Sequence, residues 1–112
     1  MDVPRFLLRK LYKKGSLFET DRGFSFKMQN PLATATLTSP PTIVVNGINY
    51  NASDVQCEVD LTKPPILFAK GTEWTLAFPG HLLRGGNRIH FEADTKEFGT
   101  IDFLVEDAAT EP

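Results

Sequence analysis

Thr42-Ile43-Val44-Val45-Asn46-Gly47-Ile48-Asn49-Tyr50 decides the fold class. Two runs of β-formers flank Asn-Gly, the pair that most readily fills both positive-φ positions of a two-residue type I′ turn. The segment therefore reads as a tight hairpin, with Gly47 at positive φ. A chain that opens its middle this way has no room there for a helix.

The same grammar extends in both directions. Phe24-Ser25-Phe26-Lys27-Met28 alternates with period two and is preceded by Thr20-Asp21-Arg22-Gly23, a second turn. Leu32 to Thr38 alternates Ala/Leu with Thr, leaving Thr34, Thr36 and Thr38 on a hydroxyl face. Val55 to Leu61 alternates again, and Trp74-Thr75-Leu76-Ala77-Phe78 follows. The last hairpin pairs Ile89–Ala93 with Thr100–Val105. Turn signals recur at strand spacing, so residues 15–106 are expected to form an all-β, antiparallel sandwich of about eight short strands. Its interior should hold Phe24, Phe26, Val44, Val59, Trp74, Leu76, Phe91, Ile101 and Phe103. Residues 107–112 read as a frayed acidic tail.

Residues 1–14 form a basic-apolar arm. Residues 4–14 fit a short helix starting at Pro4, although a strand from Leu8 competes. Phe6, Leu7, Leu8, Leu11 and Tyr12 make one broad apolar face, rimmed by Arg5, Arg9, Lys10, Lys13 and Lys14. The arm either closes the core as a lid or presents an interface to a protein partner. Charge supports the second use: residues 1–30 carry a net +4 and residues 31–112 a net −6. Deleting residues 1–11 is expected to leave the sandwich folded.

The 112 residues and their single cysteine, Cys57, exclude a disulfide scaffold and a second core. The Phe6-Leu7-Leu8 run is too short for a signal peptide, and no stretch approaches the ~20 apolar residues of a membrane span. A cytoplasmic protein without membrane contact is expected. An acidic body argues against nucleic acid.

Catalytic constellations are few. His81 and Arg84 share a loop with Gly85-Gly86, which reads as a wide hairpin turn; as an acid/base and anion pair they would serve a small enzyme. His90, Glu92 and Asp94 alternate along one strand face and could hold a cation weakly. Neither pattern reaches the spacing of a known site, so no catalytic residue, metal or cofactor is expected. Trp74, Tyr50 and the Thr34–Thr38 face could instead form a sugar platform of a carbohydrate- or metabolite-binding module.

The order Gly15-Ser16-Leu17-Phe18, Gly23-Phe24-Ser25-Phe26, Val45-Asn46-Gly47 and Leu82-Leu83-Arg84-Gly85-Gly86-Asn87 resembles the small β-sandwich β subunit of bacterial C-glycoside deglycosidases. That resemblance implies a companion of a larger sugar-isomerase-like (β/α)₈ subunit acting on glycosides, hence carbohydrate metabolism. The expected function is therefore a non-catalytic accessory subunit. It docks on a larger enzyme or on copies of itself through Phe6, Leu7, Leu8, Leu11, Tyr12, His81 and Arg84.

Overall fold

The computed structural model describes residues 3–110. A short helix α1 (Arg5–Leu8) runs into a 3₁₀ turn, Arg9–Leu11. Nine strands follow: β1 (Phe18–Thr20), β2 (Gly23–Gln29), β3 (Ala35–Leu37), β4 (Thr42–Val45), β5 (Ile48–Tyr50), β6 (Ile66–Phe68), β7 (Glu73–Phe78), β8 (Gly86–Thr95) and β9 (Gly99–Ala108). They form two antiparallel sheets, β1-β2-β7 and a six-stranded sheet built around β8. One edge of β8 carries β9 along its whole length; the other is shared by β4 and β3. This is the expected β-sandwich.

The inner faces meet in an aromatic core. Register pairs Phe24 with Phe78 and Met28 with Trp74 across β2 and β7, and Phe91 with Phe103 across β8 and β9. The Phe24 and Phe78 rings stack at 4.8 Å, and Phe68 stacks on Trp74 at 4.1 Å. Period-two patterning puts these rings inside, and offset stacking adds to the burial term.

Both expected turns form. Asn46 has φ 53° and Gly47 φ 81°, the pair of left-handed residues a type I′ turn needs, and Val45 pairs with Ile48. Gly23, at φ 151°, is required for a second reason as well. A Cβ there would run into the carbonyl of Phe78 on β7.

Other expectations are corrected. Val44 and Val59 are only half-buried, whereas Ile43 and Val45 are inside. Three successive apolar residues, Ile43-Val44-Val45, do not encode the inner face of Thr42–Val45. Pairing of Ile43 with Phe91 and of Val45 with Ile89 sets it. Residues 55–61 are no strand. Gln56 alone bridges Ala77, and the Glu58 carboxylate then takes the Thr75 amide at 2.8 Å in place of a backbone carbonyl. Such side-chain acceptors compete with the ladder. The Thr-rich strand shortens to Ala35–Leu37. The loop before β8 is not a wide hairpin turn, because β7 and β8 lie in different sheets and the loop crosses between them.

The tail is tied down as far as it is described. Thr110 donates its amide to Leu17 at 2.7 Å and its hydroxyl to Gly15 at 2.7 Å. Residues 111–112 of the expected frayed segment lie outside the described residues. No helix among the described residues is long and apolar enough to cross a membrane.

Candidate docking site

The arm is built into the body. Leu7 and Leu8 donate to the Pro4 carbonyl, which starts α1. Leu8, Leu11 and Tyr12 turn inward and are buried, with the Tyr12 ring 5.6 Å from Phe26 and 6.3 Å from Phe103. Tyr12 also bridges Met28, and Lys13 donates its amide to Lys27. Of the five apolar residues expected to form an interface, three are therefore core. Leu7 is half-buried, and Phe6 stays 67% exposed. Removing residues 1–11 would uncover core, so the expectation that the sandwich would survive this deletion is also revised.

A polar network fastens the arm. The Tyr12 hydroxyl donates to Asp107 Oδ2 at 2.8 Å, and the Gly15 amide donates to the same oxygen at 2.9 Å. Burial first, and the Asp107 carboxylate second, push the Tyr12 phenol well above its ordinary pKa. Opposite Asp107 on β8 stands Asn87, fully buried. Its Oδ1 accepts from the Leu83 amide at 2.7 Å and from Asn46 Nδ2 at 2.8 Å. Its Nδ2 faces the carbonyls of Leu83, Gly85 and Asp107. One amide thus joins the β4–β5 turn, the crossing loop and the end of β9. The sequence shows Asn87 only as the end of the Arg84-Gly85-Gly86 loop and gives Asp107 no signal, because a hub of this kind exists only once distant turns meet.

The arm also borders an open apolar cleft of about 300 Å³, to which it contributes Leu7, Leu8 and Leu11 and the body Leu32, Phe98 and Ile101. Asn30 also lines it but offers no free polar atom. Its Nδ2 donates to Ala33 and Phe68, and its Oδ1 accepts from Leu32 and Ala33. The cleft wall is therefore apolar in effect.

The remaining candidates stay apart. His81 lies 3.3 Å from Glu19 Oε2, but its side chain is 84% exposed, and Arg84 is exposed beside it. His90 meets Asp102 at 3.2 Å, while Asp94 accepts from Thr100 and Glu92 points to solvent. Among the described residues no three His, Cys, Asp or Glu side chains gather as metal ligands. Trp74 and Tyr50 are buried, so neither ring is free to stack on a sugar. Cys57 is half-buried, and burial pushes its thiol up to about 11, which keeps it protonated and unreactive at neutral pH.

Against known proteins, the family model of the hydroxymethylglutaryl-CoA reductase N-terminal domain matches residues 7–110. No curated protein matches the chain. The chain belongs to the hydroxymethylglutaryl-CoA reductase N-terminal domain family. This overturns the resemblance to C-glycoside deglycosidase β subunits, together with the link to carbohydrate metabolism. The motifs behind that resemblance, such as Val45-Asn46-Gly47 and Arg84-Gly85-Gly86, are turn chemistry that unrelated sandwiches share.

Proposed function

We propose that this reductase N-terminal domain is a non-catalytic cytoplasmic docking domain that seats on a larger protein body through the outer side of its arm. The observation that carries the proposal is Phe6, two-thirds exposed on α1, the helix whose next residues Leu7 and Leu8 line the apolar cleft together with Val3, Leu32 and Phe98. An exposed aromatic next to an apolar depression is the composition of an interface rather than of a solvated surface. The basic residues flanking it, Arg5, Arg9 and Lys10, favour an acidic rim on the partner. Given the family, the partner is the catalytic body of a hydroxymethylglutaryl-CoA reductase, which would carry the chemistry.

Mixing the domain with such a catalytic body and following the sedimentation of both tests this reading. The Phe6→Ser variant should keep its fold and weaken association about tenfold or more, the usual consequence of losing an aromatic anchor. Equal association by the variant and the parent chain would refute it.

A further inference from the structure

A second groove, of about 510 Å³, lies between the arm and β9 and is lined by Arg9, Tyr12, Lys14, Arg88, Leu104, Val105 and Glu106. Its cations come from three places: the 3₁₀ turn, the segment after Tyr12, and the outer face of β8. Among the described residues, ion pairs engage Lys13, Lys27 and Lys63 but not Arg9, Lys14 or Arg88. Arg88 stands directly across from Glu106 in the β8–β9 register, yet Glu106 folds over Gly86, where its carboxylate would meet a Cβ. The natural neutraliser of Arg88 is thus turned aside. Leu104 lies 46% exposed between these charges.

We infer that this groove binds an extended acidic segment of a protein, one that alternates carboxylate and apolar side chains. The distribution of the charges over three elements argues for a chain rather than a compact anion. A phosphate needs donors converging on one point, usually backbone amides as well. Here the three cations stand on three separate elements, the 3₁₀ turn, the segment after Tyr12 and β8, and the lining includes the carboxylate of Glu106 among them. Carboxylates carried at intervals along a peptide meet Arg9, Lys14 and Arg88 separately, while an intervening apolar side chain covers Leu104 and Val105. The groove shares Arg9 with the basic flank of the Phe6 contact but contains neither Phe6 nor any residue lining its cleft.

The test uses the full chain and a fluorescein-labelled Glu-Val-Glu-Val-Glu-Gly peptide, read by anisotropy and by amide chemical-shift mapping. Shifts should centre on residues 9–14, 88 and 104–106, and affinity should fall as salt rises. Arg9→Gln, Lys14→Gln and Arg88→Gln should each weaken binding about two- to fivefold, and the triple variant should abolish it. Phe6→Ser should leave it unchanged. The inference is overturned if the triple variant binds like the parent or if a Lys-Val-Lys-Val-Lys-Gly peptide binds equally. Inorganic phosphate displacing the peptide at stoichiometric concentration, or shifts gathering elsewhere, would also overturn it.

Discussion

Asn46 Nδ2 donates to Asn87 Oδ1 at 2.8 Å, joining residues 41 positions apart and locking the β4–β5 turn to the start of β8. The bond is reciprocated through the backbone: Asn46 Oδ1 accepts from the Arg88 amide at 2.9 Å, and the Asn46 amide donates to the Arg88 carbonyl. A residue chosen for its left-handed φ therefore also supplies a long-range clamp.

Substituting Asn87 by Ala should cost about 2–4 kcal/mol, because the Leu83 amide and Asn46 Nδ2 lose their acceptor in a dry site. Asn87→Asp should be worse at neutral pH. Its carboxylate would face the Leu83, Gly85 and Asp107 carbonyls that the amide now serves. Burial and those dipoles favour the protonated acid, so the variant should regain stability as pH falls. Urea midpoints between acid and neutral pH measure this, and a flat profile would show that the site opens to water.

Gly47→Val should destabilise by about 1–3 kcal/mol, since a β-branched side chain is forced to φ near 81°. The added Cβ meets no neighbour, so strain alone is at work. Gly23→Ala adds a collision with the Phe78 carbonyl to the strain of its own positive φ of 151°, and should be the more damaging of the two. Thermal unfolding of both variants separates the two mechanisms.

The hairpins, the sandwich and most of the core were legible because period two and Asn-Gly are local signals. The inner face of Thr42–Val45 was not, since Ile43, Val44 and Val45 are apolar in succession and pairing with β8 decides between them. Residues 55–61 misled for the opposite reason. Their alternation is real, but Glu58 and Asp60 spend their carboxylates on backbone amides and stop a ladder from forming. For the site, the sequence found the arm's apolar face without showing that most of it is core. Which of Leu8, Leu11 and Phe6 faces β9 depends on the angle at which the arm lands, and the Tyr12–Asp107 bond sets that angle across 95 positions.

Tyr12→Phe removes that bond and should cost about 1.5–3 kcal/mol at neutral pH, the range for a hydrogen bond to a charged group. Its pH signature is on the alkaline side. The folded phenol is held above its ordinary value of 10.0, so the parent loses stability as pH rises past the point where the unfolded tyrosine ionises. The variant carries no phenol at this position and should lose less over that range. Denaturant titrations at neutral pH and above pH 10 would show this as converging curves. Parallel curves would mean that Tyr12 ionises as freely folded as unfolded.

Leu11 and Phe6 sit five positions apart on one arm and should behave in opposite ways. Leu11 is buried under the sheets, so Leu11→Ala opens a cavity and should cost about 2–5 kcal/mol of stability. Phe6 is 67% exposed, so Phe6→Ala should change stability by no more than about 0.5 kcal/mol. If the arm served only as a lid, Phe6→Ala would be silent in every assay. As a docking anchor it should leave the melting curve in place and weaken association with the catalytic body. Leu11→Ala should reverse the ranking at temperatures where the fold survives: it lowers the melting point, and because Leu11 also lines the cleft it weakens association less than Phe6→Ala does. Measuring both variants for melting and for binding gives four values, and a docking arm requires the larger loss of stability to fall on Leu11 and the larger loss of association on Phe6. The larger loss of both properties in one variant would mean that the arm folds and docks as a single unit, with no separable contact at Phe6.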